Sequence, residues 1–340
     1  MPTDYGIDLG TARTIIYKGK SIVLNEPSVV AFDTHTGEPI AFGEEAFQML
    51  GRTPDSINAV CPIERGFIAD YEVAEHMVRK YLSEVSGNKM LKARVMVSKP
   101  SGITAVQQRS VIDACTNAGA RDVCLIESPL AAALGNDINF NTPKGVIVVD
   151  IGKGTTDIAV LSMGGLAACE SAKIASVDFD EAISRYVRKE YNILIGPHTA
   201  ENIKLQIGSV WKRPVELALK AKGRNQFTGL PSIFEITSDE VMEALGDTAL
   251  SICKAVQSVL EKTPPEMISD IANDGILLTG GGALIYGMTE LLSDYTRLKV
   301  TLVPEPITCV VAGIGKALSD FDVLKNGDYR FRTLEDLAIE

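Results

Sequence analysis

Apolar and polar positions recur along this chain with two periods, and the change from one to the other marks its elements. Short aliphatic and β-branched runs at residues 5–9, 14–17 and 29–32 are bounded by turn residues and predict strands. Gly37-Glu38-Pro39 predicts a turn, and residues 44–50 a short helix stopped by Gly51. From residue 71 the period lengthens: Val73, Met77, Val78, Tyr81 and Leu82 recur at helical spacing and predict a helix over 71–85. Residues 93–98 predict a strand. Residues 104–118 predict a helix with Val111, Cys115 and Ala118 on one face and Gly119 as its stop, and 123–126 a further strand. Ser128 is placed to cap the next helix, with Pro129 at its first position.

The second half reads like the first. A strand-rich stretch from residue 146 to about 168 precedes a helix over 180–191, with Ile183, Tyr186, Val187 and Tyr191 on one face. Thr199 caps a helix that runs to Gly208, and strands of an inserted unit fill 215–236. Ser238 starts a long helix carrying Val241, Leu245, Ala249, Ile252, Val256 and Val259 at helical spacing. Residues 275–283 read as a buried strand feeding a glycine turn, and 312–318 as the last strong helix. The charged tail from Lys325 reads as a loosely packed end.

Composition narrows the class. The 340 residues are 46% hydrophobic with a mean hydropathy of +0.12, enough for a large core and about two domains. A net charge of −11 argues against a nucleic-acid partner, which would want a basic surface. It leaves room for membrane contact through an apolar tip. The six cysteines include no Cys-x-x-Cys pair and the three histidines are isolated, so a metal-ligand cluster is not expected. The cysteines read as small buried hydrophobes in a reducing compartment. A strand begins within a few residues of Met1 where a secretory signal would lie, and no apolar run approaches the ~18 residues of a spanning helix. The expectation is a soluble cytoplasmic protein.

The chemistry concentrates in residues 146–157, Val-Ile-Val-Val-Asp-Ile-Gly-Lys-Gly-Thr-Thr-Asp. A buried strand delivers Asp150, and Gly152 and Gly154 let the following turn aim its N–H groups at an anion. Asp150 at the strand end could hold a hydrated divalent cation, although one such turn is equally an ordinary hairpin. A second copy decides between them: residues 5–14 repeat an apolar strand, Asp8, Gly10 and Thr11. Two such turns roughly 140 residues apart imply a duplicated fold with a ligand between its halves. Neither a Walker loop nor a Rossmann glycine motif occurs, so phosphate binding would use these hairpin turns in place of a helix N-terminus. The loop Ser86-Gly87-Asn88-Lys89-Met90-Leu91-Lys92 sets two bulky apolar residues among lysines. Met90 and Leu91 either pack inward or dip into a membrane whose anionic headgroups the lysines meet.

Five landmarks, at 8–11, 127–133, 150–157, 280–283 and 313–316, occur in an order that resembles the actin, sugar-kinase and heat-shock-chaperone superfamily. Within it, Gly-Lys-Ser-Ile-Val-Leu-Asn-Glu-Pro-Ser-Val-Val over 19–30, Met-Leu-Gly-Arg-Thr-Pro over 49–54 and Thr-Gly-Gly-Gly-Ala-Leu over 279–284 are similar to the MreB family of bacterial actins almost letter for letter. The resemblance covers nearly the whole chain. It implies an α/β, actin-like ATPase fold of two RNase-H-like domains, each with a small inserted subdomain, and Mg-ATP in the cleft between them. Residues 1–141 would form the first domain (insertion about 32–65) and 142–318 the second (insertion about 181–254). Residues 319–340 would pack back on the first domain.

By the same resemblance, Gly10, Thr11, Ala12 and Arg13 form the first phosphate loop and Gly152, Lys153, Gly154 and Thr155 the second. Asp8 and Asp150 hold the waters of Mg2+, a cation that dehydrates reluctantly. Gly280, Gly281, Gly282 and Ala283 lie against the adenosine, Glu201 and Lys204 near the ribose and base, and Gly313 in the segment that closes the cleft. The implied partners are further copies of the chain in paired protofilaments, other actin-like paralogues, and the inner membrane surface through Met90 and Leu91. The implied location is cytoplasmic, with a peripheral position on the inner face of the cell membrane as the alternative.

The candidate catalytic positions are Glu127, Ser128 and Thr155, and here the chain departs from the family pattern. Its usual Ile-Glu-Glu-Pro reads Ile126-Glu127-Ser128-Pro129, and the second glutamate is, by resemblance, the group that positions the attacking water. A serine hydroxyl is no base near neutral pH, and general-base assistance is worth about 10²–10⁴-fold, or ~3–5 kcal/mol. Lys153 replaces a glycine, either reaching the phosphates or, as the favoured reading, facing solvent. Ala175-Ser176-Val177 replaces Gly-Gly-Asp, and Arg13 replaces an asparagine. The sequence therefore reads as a divergent filament protein that binds nucleotide and hydrolyses it very slowly. The near alternative is a fully active filament ATPase. A small-molecule kinase would need a carboxylate base beside a sugar pocket, and a chaperone ATPase module would carry a peptide-binding domain that these 340 residues do not include.

Overall fold

The N-terminal runs fold as an antiparallel meander of β1 (Tyr5–Leu9), β2 (Arg13–Lys18) and β3 (Ser21–Pro27). The structure is a computed structural model that describes residues 4–87 and 93–319. A small sheet follows, of β4 (Val30–Asp33), β5 (Pro39–Phe42) and β6 (Ile57–Val60), with α1 (Gly43–Met49) packed on it through the buried Ala46. The short β7 (Ile63–Glu64) and β8 (Phe67–Ile68) lead to α2 (Tyr71–Ser86), whose start is capped by the Asp70 side chain. Next come β9 (Arg94–Lys99), parallel to β1, then α3 (Ala105–Asn117) and β10 (Asp122–Glu127), parallel to β9. Helix α4 (Ser128–Gly135) leaves this sheet, whose strand order is β10-β9-β1-β2-β3.

The second half repeats the plan. An antiparallel meander of β11 (Val146–Ile151), β12 (Thr156–Ser162) and β13 (Gly165–Ala172) precedes α5 (Ser176–Tyr191). Its inserted unit pairs β14 (Ile193–Leu194), β15 (Ala218–Asn225) and β16 (Pro231–Thr237), with α6 (Pro197–Ile207) beside them. The long α7 (Ser238–Lys262) starts at a reciprocal pair of bonds between Thr237 and Glu240, and α8 (Pro265–Asp274) follows. β17 (Ile276–Thr279) runs parallel to β11; α9 (Met288–Thr296), β18 (Val300–Leu302) and α10 (Cys309–Ser319) complete the half. The order β13-β12-β11-β17-β18 matches the first sheet strand for strand. The duplication expected from the two aspartate turns is thus the plan of the fold.

Packing explains how the halves join. The first sheet buries Ile7, Val95 and Leu125 against Met77, Tyr81 and Ile112 of α2 and α3. The second buries Ile147, Val149 and Ile158 against Phe179 of α5 and Val256 of α7. Between them, α4 packs on β11 and β12 while α10 packs on β1 and β2, so each half lends its last helix to the other. The two helices cross where Gly135 and Gly313 face each other's backbones; a Cβ on Gly313 would lie 1.7 Å from the Ala131 carbonyl oxygen.

Several elements differ from expectation. Ser128 is the first residue of α4, with Glu127 in the capping position and Pro129 second, because β10 runs directly into the helix. Helix α6 starts at Pro197 after Gly196, so Thr199 lies inside its first turn and does not cap it. Helix α5 starts at Ser176, four residues before the expected start, with Asp178 accepting from the Ala175 amide at 2.8 Å. Strands β3 and β18 and helices α8 and α9 were not expected. Four cysteines are buried as anticipated, but Cys61 is half-buried and Cys169 exposed. Met90, Leu91 and the tail from residue 320 lie outside the described residues. Among the described residues no helix is long and apolar enough to cross a membrane.

Candidate functional site

The β1–β2 and β11–β12 turns face each other across a cavity of about 680 Å³ between the halves. Asp8, Gly10, Thr11, Ala12 and Arg13 line it from one side, and Asp150, Gly152, Lys153, Gly154 and Thr155 from the other. Glu201 and Lys204 of α6, the glycines Gly280, Gly281 and Gly282, and Ser128 also line it, Gly280 and Gly282 close against residues 150–152 and Glu201 paired with Lys153. Three expected site residues do not reach the cavity: Glu127, the buried Ala283, and Gly313 at the α4–α10 crossing.

Both turns are built alike. Gly10 donates to the Arg13 carbonyl at 3.1 Å, and Gly152 to the Thr155 carbonyl at 2.9 Å. Among the described residues, the amides of Thr11, Ala12, Lys153 and Gly154 then donate to no protein acceptor. Four free N–H groups on two facing turns suit an anion. The second turn is fixed from behind: Ser176 and Val177, at the start of α5, donate to the carbonyls of Gly152 and Lys153 at 3.2 and 2.9 Å. Within the Ala175-Ser176-Val177 stretch, the Ser176 and Val177 amides therefore hold the turn in place.

Beneath the turns sits a group of acids. Asp8 accepts from the Ser98 hydroxyl at 2.7 Å, and burial pushes its carboxyl up to about 6. Asp150 is raised well above the usual carboxylate range, by burial first and then by the charges of Asp157 and Asp8. Burial also raises Asp157, which accepts from the Ser101 amide at 3.0 Å and the Thr155 hydroxyl at 2.8 Å. Adjacent buried carboxylates resist ionising together, and a divalent cation relieves the conflict. Among the described residues no three His, Cys, Asp or Glu side chains are disposed to ligate a metal directly. The set fits a cation that keeps its waters and takes its remaining ligands from phosphates, as Mg2+ does.

The departures noted in the sequence each have a structural place. The Ser128 hydroxyl donates to the Lys99 carbonyl at 3.1 Å. Glu127 pairs with Lys99 at 2.7 Å, both side chains largely buried, which fixes its carboxylate away from the cavity. Lys153 neither reaches into the turns nor stands free in solvent; it pairs with Glu201, also on the cavity lining, at 3.3 Å. Arg13 lies along β3, donating to the Asn25 side chain and carbonyl at 2.5 and 2.6 Å. Lys204 is buried with Asp180 at 2.8 Å and donates to the Ser176 hydroxyl at 2.7 Å, so it braces the wall. Gly280 has φ +88°, and a Cβ there would lie 2.4 Å from an Asp150 carboxylate oxygen, so only glycine fits.

Sequence reasoning passed over several residues. The turn between β7 and β8 spans the cleft: the Gly66 amide donates to the Thr11 hydroxyl at 3.1 Å, and Arg65 donates to the Lys173 carbonyl at 2.8 Å and pairs with Asp178 at 3.0 Å. Phe47 of α1 meets His198 of α6 edge-on, ring centroids 4.9 Å apart, so the inserted units also touch. Asp157 stood at the end of the quoted turn motif and was legible there. Arg213 and Tyr286, which also line the cavity, carry no sequence signal.

Two sheets of one topology, a cleft between them and paired hairpin turns in its floor define an actin-like ATPase fold. A MamK chain from a double helical filament shares that fold at a TM-score of 0.79, with 20% identity over 93% of this chain and 98% of that one. MreB5 of Spiroplasma citri bound to AMPPNP is nearer, with a TM-score of 0.91 and 35% identity over 95% of this chain and 98% of its own. The same protein bound to ADP gives a TM-score of 0.90. The cell shape-determining protein MreB of Escherichia coli is 45% identical over 327 residues, 94% of each chain. The family described as MreB/Mbl protein matches residues 2–326, and the chain belongs to it.

Proposed function

We propose that this chain is a cell shape-determining filament protein that binds a nucleoside triphosphate with Mg2+ in its cleft and hydrolyses it very slowly. The nucleotide part is supported by the two turns with free amides, by the acids beneath them, and by the ADP and AMPPNP bound to the Spiroplasma citri protein. Thr11, Ala12, Lys153 and Gly154 would cradle the phosphates, while Asp8 and Asp150 would hold the waters of the cation. The cation, when bound, neutralises charge on the triphosphate. Assembly with further copies of the chain is supported by the family and by the filament of the MamK chain that shares the fold. Attachment to the inner membrane face through Met90 and Leu91, a cytoplasmic location and co-assembly with actin-like paralogues belong to the same reading.

One observation carries the slow turnover. At the strand-to-helix turn of α4, the side chain on the cavity wall is a hydroxyl already spent on the Lys99 carbonyl, and the adjacent carboxylate is held by the Lys99 ammonium. That turn therefore offers no base to an attacking water. In wild-type protein under polymerising conditions, phosphate release should stay near background while filaments sediment. Ser128→Glu should raise release by about 10²-fold or more. A second reading, a fully active filament ATPase, draws on Asp157, a buried carboxylate on the cavity wall that accepts from Thr155. If wild-type release equals that of an ordinary bacterial actin and Asp157→Asn abolishes it, this second reading replaces the first.

A further inference from the structure

The short hairpin of β7 and β8, in the first half, is tied to both phosphate turns. Its two turn residues, Arg65 and Gly66, have φ of +45° and +79°, as a tight two-residue hairpin requires. Arginine seldom takes that conformation, and here its neighbours hold it. The Gly66 amide donates to the Thr11 hydroxyl at 3.1 Å, and the Arg65 backbone packs on Gly154, where a Cβ would lie 2.7 Å from the Arg65 Cα. The Arg65 side chain then crosses to the second half. Its Nη1 meets both Asp178 carboxylate oxygens, at 3.0 and 3.1 Å, and the Lys173 carbonyl at 2.8 Å, while Nη2 lies 3.7 Å from Glu181. Asp178 also accepts from the Ala175 amide at the start of α5, the helix whose Ser176 and Val177 amides fix the second turn. Beside it the Lys173 ammonium lies 5.3 Å from the centroid of the Phe67 ring, again across the halves.

Arg65, Asp178 and Glu181 do not line the cavity, so their contacts join the halves whatever the cavity contains. With Arg65 one-third exposed and Asp178 less so, the pair is a charge-assisted contact stronger than an ion pair in open solvent. We propose that the Arg65 hairpin is a clasp that closes the two halves over the cleft with the protein's own side chains, and that its release sets the pace of nucleotide entry and exit. It grips Thr11 on one side and the start of α5 on the other. Opening the cleft therefore draws the two phosphate turns apart and breaks the Arg65–Asp178 pair in one movement. The pacing rests on the nucleotide reading above; the clasp does not.

Wild type, Arg65→Gln, Asp178→Asn and the double variant, each checked for folding by thermal unfolding, would be compared below the concentration at which filaments sediment. Asparagine at 178 keeps an acceptor for the Ala175 amide, so the start of α5 survives while the ion pair is lost; this variant carries the test should Arg65→Gln fail to fold. The first measurement is the distance between spin labels carried by unnatural amino acids at the exposed Gln48 of α1 and Gln206 of α6, in nucleotide-free protein. Wild type should give one narrow distribution, and each variant a second, longer population. The second is release of a fluorescent ATP analogue chased with excess Mg-ATP. Each single variant should speed release about tenfold, and the double variant no further, since both changes remove the same pair. Raising salt should speed release from wild type and leave the double variant unchanged. Distances or release unchanged in the folded variants, or effects that add in the double variant, overturn the clasp while the phosphate site stands. Wild-type protein that binds no ATP removes the nucleotide reading and the pacing with it; the clasp then stands or falls on whether the distances lengthen.

Discussion

Gly313→Ala is expected to destabilise the protein by about 3 kcal/mol or more, lowering the thermal unfolding midpoint by on the order of 5–10 °C. On helix propensity alone the change should help, since alanine is better than glycine in a helix by about 1 kcal/mol. The crossing reverses the sign. A Cβ at position 313 would sit 1.7 Å from the Ala131 carbonyl oxygen and 2.8 Å from the Gly135 nitrogen, and neither backbone atom can rotate away. Gly135 is locked in return, its Cβ position 2.1 Å from the Cys309 carbonyl oxygen. Relief requires α4 and α10 to separate, and they pack on opposite sheets, so the strain spreads through the apolar cluster of Met96, Ile126, Val148 and Ile314. Gly246 is the control. It is exposed in the middle of α7 with nothing within 4 Å of its Cβ position, and Gly246→Ala should stabilise by up to ~1 kcal/mol. Thermal unfolding of both variants checks the pair. A Gly313→Ala protein as stable as wild type would show that the helices can part at little cost.

Gly313 also marks how far the sequence could be read. The duplicated plan was legible because each half announces its central strand by a β-branched run ending in an aspartate and a glycine turn. Those signals are local, and Asp8, Asp150 and both turns line the cavity. Strand β3, read only as part of a family string, has exposed Ile22 and Val23 and lacks the burial alternation that betrays a strand. Ser128 and Thr199 looked like caps because their residue types favour that role, but the strand running into α4 and the Gly196-Pro197 start of α6 set different frames. Contacts between segments far apart in sequence were out of reach: Glu127 with Lys99, Lys153 with Glu201, Arg65 with Asp178, and Arg213 on Tyr286. Arg65 with Asp178 arises only once the halves close on one another, and the other three only once distant elements of one half have packed together. Charge and spacing along one chain do not encode either.

Asp150→Asn should make the ligand-free protein more stable and the Mg-nucleotide complex much weaker. The sign follows from the raised carboxyl. Burial, reinforced by Asp157 and Asp8, holds the Asp150 pKa well above its unfolded value of 3.8, so the folded state keeps a proton that the unfolded chain releases. Stability is then fullest below the unfolded pKa and falls as pH rises towards the folded one. Asp8, raised to about 6, adds a loss of the same sign between about pH 4 and 6. An amide of the same shape carries no charge to desolvate, so near neutral pH the variant should be more stable than wild type, a gain that vanishes below about pH 4 where both states are protonated. The cost appears on binding. A carboxylate destabilised in the empty cleft is relieved when a hydrated Mg2+ arrives, and the amide forgoes that relief. Affinity for Mg-ATP should fall by about 10–100-fold, while metal-free ATP, which brings no cation for the carboxylate to hold, should bind no worse. Thermal unfolding from pH 4 to 8, with and without Mg2+, and titration with ATP in the presence of EDTA read out both halves. A variant less stable than wild type at pH 7, or one that loses metal-free ATP as well, would place Asp150 among the structural groups of the cleft floor.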